Sequence, residues 1–587
     1  MTGDVGDRAP SRVAAATFRL KASLLQLRRA ALDISTGIRR YPAGDQAAFP
    51  CVLAESRTPL WSEENLAERA LQLGKVQNLR CALRRLHNMQ LPAEACFSFW
   101  KQIGQATERR GYAPGRLLRE GCLIPATGGG LCQLSNALYE VALQADLEIV
   151  ERCGHSRIVP GAAAAIGRDA TVAWNYIDLR FRSRQAVLIE AFLTDDELVV
   201  RLRAADQVLP SPAPRRVEPA GRLDDRPHLE PDAHSCATCG VTRCFRHDPQ
   251  PAKRFADFGR TAYLMDERWP EFERYVAAQR TKNDVLGIPL DGARWRQPRY
   301  TWSTSGYARV VTATTQTVAR SITTRRLGQY GAARLQAQIE GAAAVARCLA
   351  RALGPDVTYL CVAQSLLPFL WRDGTLGGRG YEVLMTRLPL QTLHERLDVA
   401  LAMHPERATL GEFRAPRWMV EAEAEALAAA QRIITPHLEI AALFPAQAHL
   451  LGWQCAARGS LDRSTPRGRT IAFPGPTAAR KGAYEVRAVA RVLELEIVLL
   501  GSELEGADFW QGVRTRRGGA HWLSEVAAVV QPALIEEKPR VLLAALAAGV
   551  PVVATASCGL AAHPALTLVP HGDEMALQEA VARCLQH

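Results

Sequence analysis

The residues with the clearest potential for chemistry lie where a run of three glycines meets a cysteine, at Gly128, Gly129, Gly130 and Cys132. Apolar residues then recur at helical spacing, which predicts a helix over about residues 132–145 with the cysteine in its first turn. The free N–H groups and the positive dipole end of a helix start favour a thiolate there. Cys132 therefore has the setting of a nucleophile, on the polar side of the predicted helix with Ser135, Asn136 and Tyr139.

A nucleophilic thiol also needs a base within hydrogen-bond reach, and His155 is the candidate that the sequence offers. Asp169, or alternatively Asp178, could orient its imidazole, while the glycine N–H groups could stabilise an oxyanion. This arrangement predicts acyl-transfer or hydrolase-like chemistry. Two other interpretations stay open: the glycines and the helix start bind an anion, or these residues only pack a tight turn.

A second group of residues, between 234 and 247, has the spacing of metal ligands. Three cysteines and a histidine follow the pattern Cys-x2-Cys-x4-Cys-x2-His, namely Cys236, Cys239, Cys244 and His247. Three thiolates and an imidazole suit tetrahedral zinc, and an iron–sulfur cluster is the alternative for so thiolate-rich a site. The predicted metal would be structural, because the segment has almost no core of its own.

The bulk composition is that of a globular protein with a basic surface. The chain has 587 residues, 48% hydrophobic and 22% charged, with a formal net charge of +12. That length predicts two to four domains. The charge suits an anionic partner, such as a nucleotide or an anionic envelope or lipid surface, and no nucleic-acid-binding signature is recognisable. Neither a secretory leader nor a membrane-spanning run is recognisable, which favours a cytoplasmic protein and leaves peripheral membrane contact open.

Periodicity and composition place an α+β unit in the first third of the chain. A basic lead-in (1–45) with one amphipathic helix precedes this unit (46–205), which includes a strand-like aromatic run at 97–100. A linker rich in proline and charge (206–255) holds the cysteine cluster.

Two α/β segments follow, at 256–440 and 441–587. In the second of them, short apolar runs alternate with amphipathic helical patterns, which predicts a parallel, doubly wound sheet. The predicted strands lie near 470–473, 496–500, 527–531 and 551–555, and the predicted helices near 483–493 and 539–548.

Residues 76–203 carry short stretches that together resemble the VanW-like family. These stretches are Val76 to Leu79, Phe97 to Trp100, Gly128 to Tyr139, Glu151 to His155 and Asp169 to Leu179. The resemblance implies a link to the cell envelope and to glycopeptide resistance. It implies no particular reaction, so any mechanism depends on the residues themselves.

Three later stretches resemble the donor half of a GT-B glycosyltransferase of the large retaining family that uses nucleotide-sugars. They are Pro474 to Gly482, Gln531 to Arg540 and Leu546 to Thr555. The resemblance implies two Rossmann-like lobes, of which 256–440 would be the N-terminal one.

A diphosphate leaving group needs cations, and Arg480 and Lys481 would supply them at a strand–helix junction. The resemblance implies that Glu536 is the first acid of the family's paired-glutamate motif, which holds sugar or ribose hydroxyls. The second acid of that motif falls at Ala544, a departure that the adjacent Glu537 could partly offset.

The function that these patterns favour is sugar transfer from a nucleotide-sugar to an envelope-type acceptor, either a glycan or a lipid-linked molecule. The VanW-like domain would bind or modify that acceptor. One alternative is a Cys132-dependent acyl- or amide-processing enzyme. Another is a non-enzymatic accessory protein of envelope assembly or antibiotic resistance.

If the cysteine cluster binds zinc, the purified protein should contain about one equivalent of the metal. Cys239→Ser should release it, because the closed four-ligand shell is then broken. Metal analysis of both proteins checks this. Iron with sulfide in place of zinc would decide for the alternative cluster, and a metal-free wild-type protein would contradict both.

Overall fold

The computed structural model describes the chain in eight stretches, and it divides into two compact units. The described residues are 12–61, 66–119, 122–154, 168–206, 259–327, 332–412, 414–454 and 468–586. The first unit contains residues 1–260, 353–359 and 373–380, and the second contains 261–352, 360–372 and 381–587. The predicted metal ligands Cys236, Cys239, Cys244 and His247 lie outside the described residues, as does His155.

The first unit combines helices with short antiparallel strands. Its helices are α1 (Arg12–Ser35), α2 (Leu66–Leu83), α3 (Phe99–Ile103) and α4 (Leu131–Gln144). Its strands are β1 (Cys51–Pro59), β2 (Met89–Leu91), β3 (Cys96–Ser98), β4 (Pro114–Arg119), β5 (Cys122–Thr127), β6 (Glu148–Glu151), β7 (Arg180–Arg182), β8 (Val187–Leu193) and β9 (Glu197–Ala204).

An antiparallel sheet in the order β1-β9-β8-β2 organises this unit, with β3-β7-β6 as a smaller sheet and β4–β5 as a hairpin. Helix α2 contacts β4 of the hairpin and β8 of the larger sheet, and helix α4 contacts β1 and β9 of the larger sheet. Their leucines, such as Leu79, Leu134 and Leu138, are fully buried in one core with Leu202 of β9. Each such burial contributes about 1.5–3 kcal/mol.

The prediction from the sequence is correct for α4 and wrong for the aromatic run at 97–100. Helix α4 begins at Leu131, directly after Gly130 with its φ of 91°, which confirms the predicted helix to within one residue. The run at 97–100 is only half strand. The Ser98 hydroxyl accepts the N–H of Lys101 at 3.2 Å and so caps a helix that begins at Phe99.

The second unit contains two lobes. The N-terminal lobe has β10 (Arg260–Leu264), α5 (Pro270–Gln279), β11 (Val285–Ile288), β12 (Arg309–Thr312), α6 (Thr314–Arg326), α7 (Ala332–Arg351), β13 (Val357–Ala363), α8 (Leu367–Arg372), β14 (Gly380–Leu384), α9 (Leu390–Met403), α10 (Arg417–Ala428), β15 (Arg432–Thr435), α11 (Leu438–Leu443) and β16 (Ala448–Leu450). The C-terminal lobe has β17 (Thr470–Phe473), α12 (Ala483–Val492), β18 (Glu496–Leu499), β19 (Arg514–Arg517), β20 (Ala528–Gln531), α13 (Arg540–Ala547), β21 (Val552–Ala554), β22 (Leu566–Leu568) and α14 (Glu574–Leu585).

Each lobe is built on its own sheet. The N-terminal sheet has the order β12-β11-β10-β13-β14-β15-β16. The C-terminal sheet has the order β19-β18-β17-β20-β21-β22, and every neighbouring pair in it is parallel, which confirms the predicted doubly wound sheet. Among the described residues, no helix is both long and apolar enough to cross a lipid bilayer.

The packing around Gly129 requires a glycine at this position. A Cβ atom built at Gly129 would lie 2.3 Å from the carbonyl oxygen of Gly115, and one built at Gly115 would lie 2.3 Å from that of Gly129. The two backbones therefore meet at a distance that only glycine allows.

We expect Gly129→Ala to lower the stability of the first unit by about 1–3 kcal/mol, because backbone atoms must move to admit the methyl group. Gly519→Ala is the matched control, since a Cβ there would meet no atom within 4 Å. Denaturant unfolding measures both variants. Equal stability of Gly129→Ala and wild type would contradict the packing role.

Candidate functional site

The C-terminal lobe has a cavity at the point where its strand order reverses. From β17 the chain runs outward to β18 in one direction and to β20 in the other, so β17 and β20 flank the topological switch point. The cavity has a volume of about 160 Å³ and opens at the carboxyl ends of these two strands. It is lined by Gly475, Pro476, Lys481, Gln531, Glu536 and Lys538, among others. Open α/β sheets bind their ligands at this place.

Glu536 is held by three donors within the cavity wall. The Lys481 ammonium donates to its carboxylate at 3.0 Å and to the Ile535 carbonyl at 2.9 Å. The Gln531 amide and the backbone N–H of Lys538 also donate to that carboxylate, the latter at 2.8 Å. The side chains of Lys481 and Glu536 are only 8% and 9% exposed, so this is a buried ion pair with its hydrogen bonds satisfied.

The charge state of Glu536 follows from this balance. Burial alone would raise the pKa of the carboxyl, but the Lys481 ammonium and the hydrogen bonds from Lys538 and Gln531 outweigh it and lower the pKa. Glu536 is therefore ionised near neutral pH and fixes the position of the lysine.

The loop that carries Glu536 is also held from the N-terminal lobe. His437 is 1% exposed, and its Nε2–H donates to the Glu536 carbonyl at 2.9 Å. Arg540 makes two hydrogen bonds of 2.7 Å with the Glu271 carboxylate, and Lys538 pairs with Glu267 at 2.8 Å. The loop is thus anchored on both sides of the cavity.

The structure separates the four predicted donor-binding residues into two groups. Lys481 and Glu536 come together in the cavity wall, as expected for a shared site. Arg480 and Glu537 are half-buried neighbours that do not line the cavity, and the Arg480 carbonyl accepts from the backbone N–H of Leu534. The proposed replacement of the missing acid at Ala544 by Glu537 therefore gains no support from this cavity.

Two cavity residues, Gln531 and Lys538, were not predicted. Gln531 ends a buried strand, and a polar residue at the carboxyl end of such a strand could have indicated a site residue. Lys538 could have been recognised as a cation two residues from Glu536, although its direction is visible only in the structure.

In the first unit, the helix start carries Cys132 as predicted, but its polar face is used for packing. The Cys132 Sγ lies 3.7 Å from the Thr171 hydroxyl. Ser135 donates to the Ala170 carbonyl at 2.5 Å, and the Asn136 amide oxygen accepts the N–H of Ala170 at 2.7 Å. These two side chains therefore fix the backbone of the segment near residue 170.

Asp169 has a firm partner other than a histidine. Its carboxylate accepts from the Arg152 guanidinium at 2.8 Å, and its carbonyl accepts from the same side chain at 2.8 Å. Asp178 is buried and accepts from Ser98, Arg180 and the N–H of Trp100. The position of His155 lies outside the described residues, so the Cys132–His155–Asp169 site stays a prediction.

Two of the three glycine N–H groups already make hydrogen bonds within the fold. Gly128 donates to the Ala113 carbonyl at 3.2 Å and Gly129 donates to the Ala126 carbonyl at 2.8 Å. An oxyanion or bound anion at this turn would therefore compete with hydrogen bonds of the fold for two of the three groups.

Lys75 is a titratable group beside this turn that was not predicted from the sequence. Its side chain packs where a Cβ of Gly130 would lie, and its ammonium donates to the Leu60 carbonyl at 2.6 Å. Burial, with a smaller effect of Arg116, lowers the pKa of Lys75 to about 8. In the described part of the chain, no group of three or more His, Cys, Asp or Glu residues could hold a metal ion.

Two family models match the chain. Residues 74–203 match the model described as VanW like protein, and residues 469–587 match the model described as Glycosyl transferases group 1. The chain combines a VanW-like domain with a group 1 glycosyltransferase domain.

Curated relatives are similar to the VanW-like part. The vancomycin B-type resistance protein VanW of Enterococcus faecalis is 30% identical over 168 residues, which are 28% of this chain and 60% of that protein. The uncharacterised protein YoaR of Bacillus subtilis is 35% identical over 136 residues, 21% of this chain and 44% of that protein. The chain thus spans about half the length of these relatives.

Solved structures overlap the glycosyltransferase half. Anabaena HepE in complex with UDP and glucose is 12% identical with a TM-score of 0.34, and sucrose-phosphate synthase from Thermosynechococcus elongatus is 16% identical with a TM-score of 0.37. Each comparison covers 56% of this chain and 90% of the other. The assignment of the glycosyltransferase domain rests on the family model for residues 469–587.

In the glycosyltransferase domain, Lys481→Met should lower stability by about 3 kcal/mol or more, because it leaves the Glu536 carboxylate buried without its cation. Adding Glu536→Gln should recover part of that loss. Lys538→Met is the control, since Lys538 and Glu267 are 45% and 42% exposed and such pairs contribute less than about 1 kcal/mol.

Denaturant unfolding at several pH values measures these effects. Because the pKa of Glu536 is lowered in the folded protein, its stabilisation is present at neutral pH and is lost as the pH falls through that value. In Lys481→Met the pKa should rise, so acid destabilisation should begin at higher pH. Additive effects of the two substitutions would contradict the coupling.

Proposed function

We propose that this protein transfers a sugar from a nucleotide-sugar donor to an envelope-type acceptor. The observation that carries the proposal is the pair of lysines, Lys481 and Lys538, beside a cavity at the topological switch point of a domain matched as a group 1 glycosyltransferase. A cavity of about 160 Å³ is smaller than a typical pocket for a whole ligand. It would therefore take the diphosphate region of the donor rather than all of it.

The cations would act on the leaving group. As the bond from the sugar to the diphosphate breaks, negative charge grows on the phosphate oxygens, and fixed ammonium groups stabilise that charge most in the transition state. Lys481 is positioned for this role by Glu536, whose carboxylate holds the ammonium at 3.0 Å. Lys538 would exchange its exposed partner Glu267 for a phosphate oxygen.

The acceptor side of the reaction is proposed from the first domain. The relative named as a vancomycin resistance protein motivates an acceptor of the cell envelope, which the VanW-like domain would bind or modify. The simpler alternative is that the whole chain is a non-enzymatic accessory protein of envelope assembly.

A second candidate activity is Cys132-dependent acyl or amide processing. It is favoured by one observation, the half-buried thiol in the first turn of α4 directly after Gly130. In that mechanism Asp169 would orient His155 while its carboxylate also accepts from Arg152. We therefore place sugar transfer first.

Addition of UDP-, GDP- or ADP-sugars should raise the melting temperature of the full-length protein for at least one nucleotide, because a ligand that binds only the folded state stabilises it. Lys538→Met should weaken that donor's binding about tenfold or more, as expected when a charge-assisted phosphate contact is lost. Calorimetry with the selected donor measures the affinity.

Lys282→Met is the matched control for this measurement. Lys282 is exposed on the turn before β11, outside the cavity, and its loss should leave the affinity unchanged. If no donor of the panel shifts the melting curve at millimolar concentration, sugar transfer is wrong. Equal losses in both lysine variants would remove Lys538 from the site.

A further inference from the structure

The loop after β11 in the N-terminal lobe presents an aromatic side chain to solvent. Trp295 is 47% exposed and is the only exposed Trp, Tyr or Phe among the residues whose side chains the structure describes. Its neighbours Arg294 and Arg296 are exposed as well. An indole left in water gives up the free energy that burial would provide.

This exposure comes from an ordered turn. The Asp291 carboxylate accepts the N–H groups of Ala293 and Arg294, each at 3.1 Å, and the Asp291 carbonyl accepts the N–H of Trp295 at 3.0 Å. Arg296 has a φ of 51°, a left-handed conformation that side chains rarely adopt. The turn is therefore held by hydrogen bonds among its own residues.

The charges of the loop are unbalanced. The guanidinium groups of Arg294 and Arg296 make no hydrogen bond or ion pair with any described residue. The carboxylate of Asp291 is occupied by backbone N–H groups, and the third arginine, Arg299, packs over the Tyr300 ring at 4.5 Å. Two guanidinium groups thus flank the indole without an ion pair, and residues 291–299 keep a net positive charge because they hold three arginines and one aspartate.

We propose that residues 291–299 form a docking loop for a lipid surface with anionic phosphate headgroups. Tryptophan is enriched at the level of membrane headgroups, where its apolar ring and polar N–H are both accommodated. Guanidinium groups bind phosphate oxygens in a fork, and each basic residue near an anionic surface adds to the attraction. The uncompensated charges favour this partner over a neutral glycan or an apolar protein surface.

Docking would have a consequence for the acceptor. The loop follows β11 at the carboxyl edge of the N-terminal sheet, the edge at which open α/β sheets bind ligands. A membrane held there would bring a lipid-linked acceptor to this lobe. That consequence rests on the proposed sugar transfer, whereas lipid binding itself does not and can be tested without a donor.

Co-sedimentation of the full-length protein with vesicles tests the proposal. Binding is expected to vesicles of phosphatidylcholine with about one third phosphatidylglycerol, weaker binding to phosphatidylcholine alone, and loss of the difference at high salt, where screening is strong. Trp295→Ala and the double variant Arg294→Glu/Arg296→Glu should each reduce the partition coefficient about tenfold or more.

Arg417→Glu/Arg514→Glu is the control with the same change in net charge on two other exposed sites, and its partition coefficient should change less than twofold. Thermal melting verifies that all variants fold. Three results would overturn the proposal: no binding of wild type to the anionic vesicles, wild-type binding by both loop variants, or an equal loss in the control.

Discussion

The buried ion pair between Lys481 and Glu536 is the interaction on which the glycosyltransferase cavity depends. Removing both charges from water is costly, and the cost is offset only because each charge has several well-placed partners. Those partners, Gln531, the Ile535 carbonyl and the Lys538 N–H, come from the end of β20 and from the loop that follows it. The pair therefore ties this loop to the turn after β17 and fixes the shape of the space between them.

The same loop also connects the cavity to the N-terminal lobe. Arg540 lies 4.9 Å from the Trp269 ring and 5.4 Å from the Trp453 ring while it pairs with the fully buried Glu271 carboxylate. Burial lowers the pKa of His437, and its Nε2–H donates to the Glu536 carbonyl. The residues proposed to bind the donor therefore also join the two lobes, so a phosphate that drew Lys538 away from Glu267 would act on both.

Much of this architecture could be predicted from the sequence, because local patterns decide it. The four strands and two helices predicted between 470 and 555 lie within one or two residues of their observed bounds, whereas β19 at Arg514–Arg517 was not predicted. The Gly130 turn starts α4 where expected. What could not be predicted depends on distant partners. Arg480 and Lys481 are adjacent cations at one junction, and only the packing of the loop after β20 decides that Lys481 lines the cavity. The prediction of a strand-like run at 97–100 was wrong for a local reason, because Ser98 both ends a strand and caps the helix that follows.

The two candidate chemistries differ in what their polar groups face. Around Cys132, the side chains of Ser135 and Asn136 and the N–H groups of Gly128 and Gly129 are hydrogen-bonded to the backbone of the fold, so a reacting molecule would have to displace bonds that stabilise the domain. Around Lys481, the hydrogen bonds hold the ammonium at the wall of an existing cavity, where the proposed phosphate would add a partner to that ammonium. Preorganised charge beside open space is the condition for electrostatic catalysis, and Lys481 at the cavity wall meets that condition.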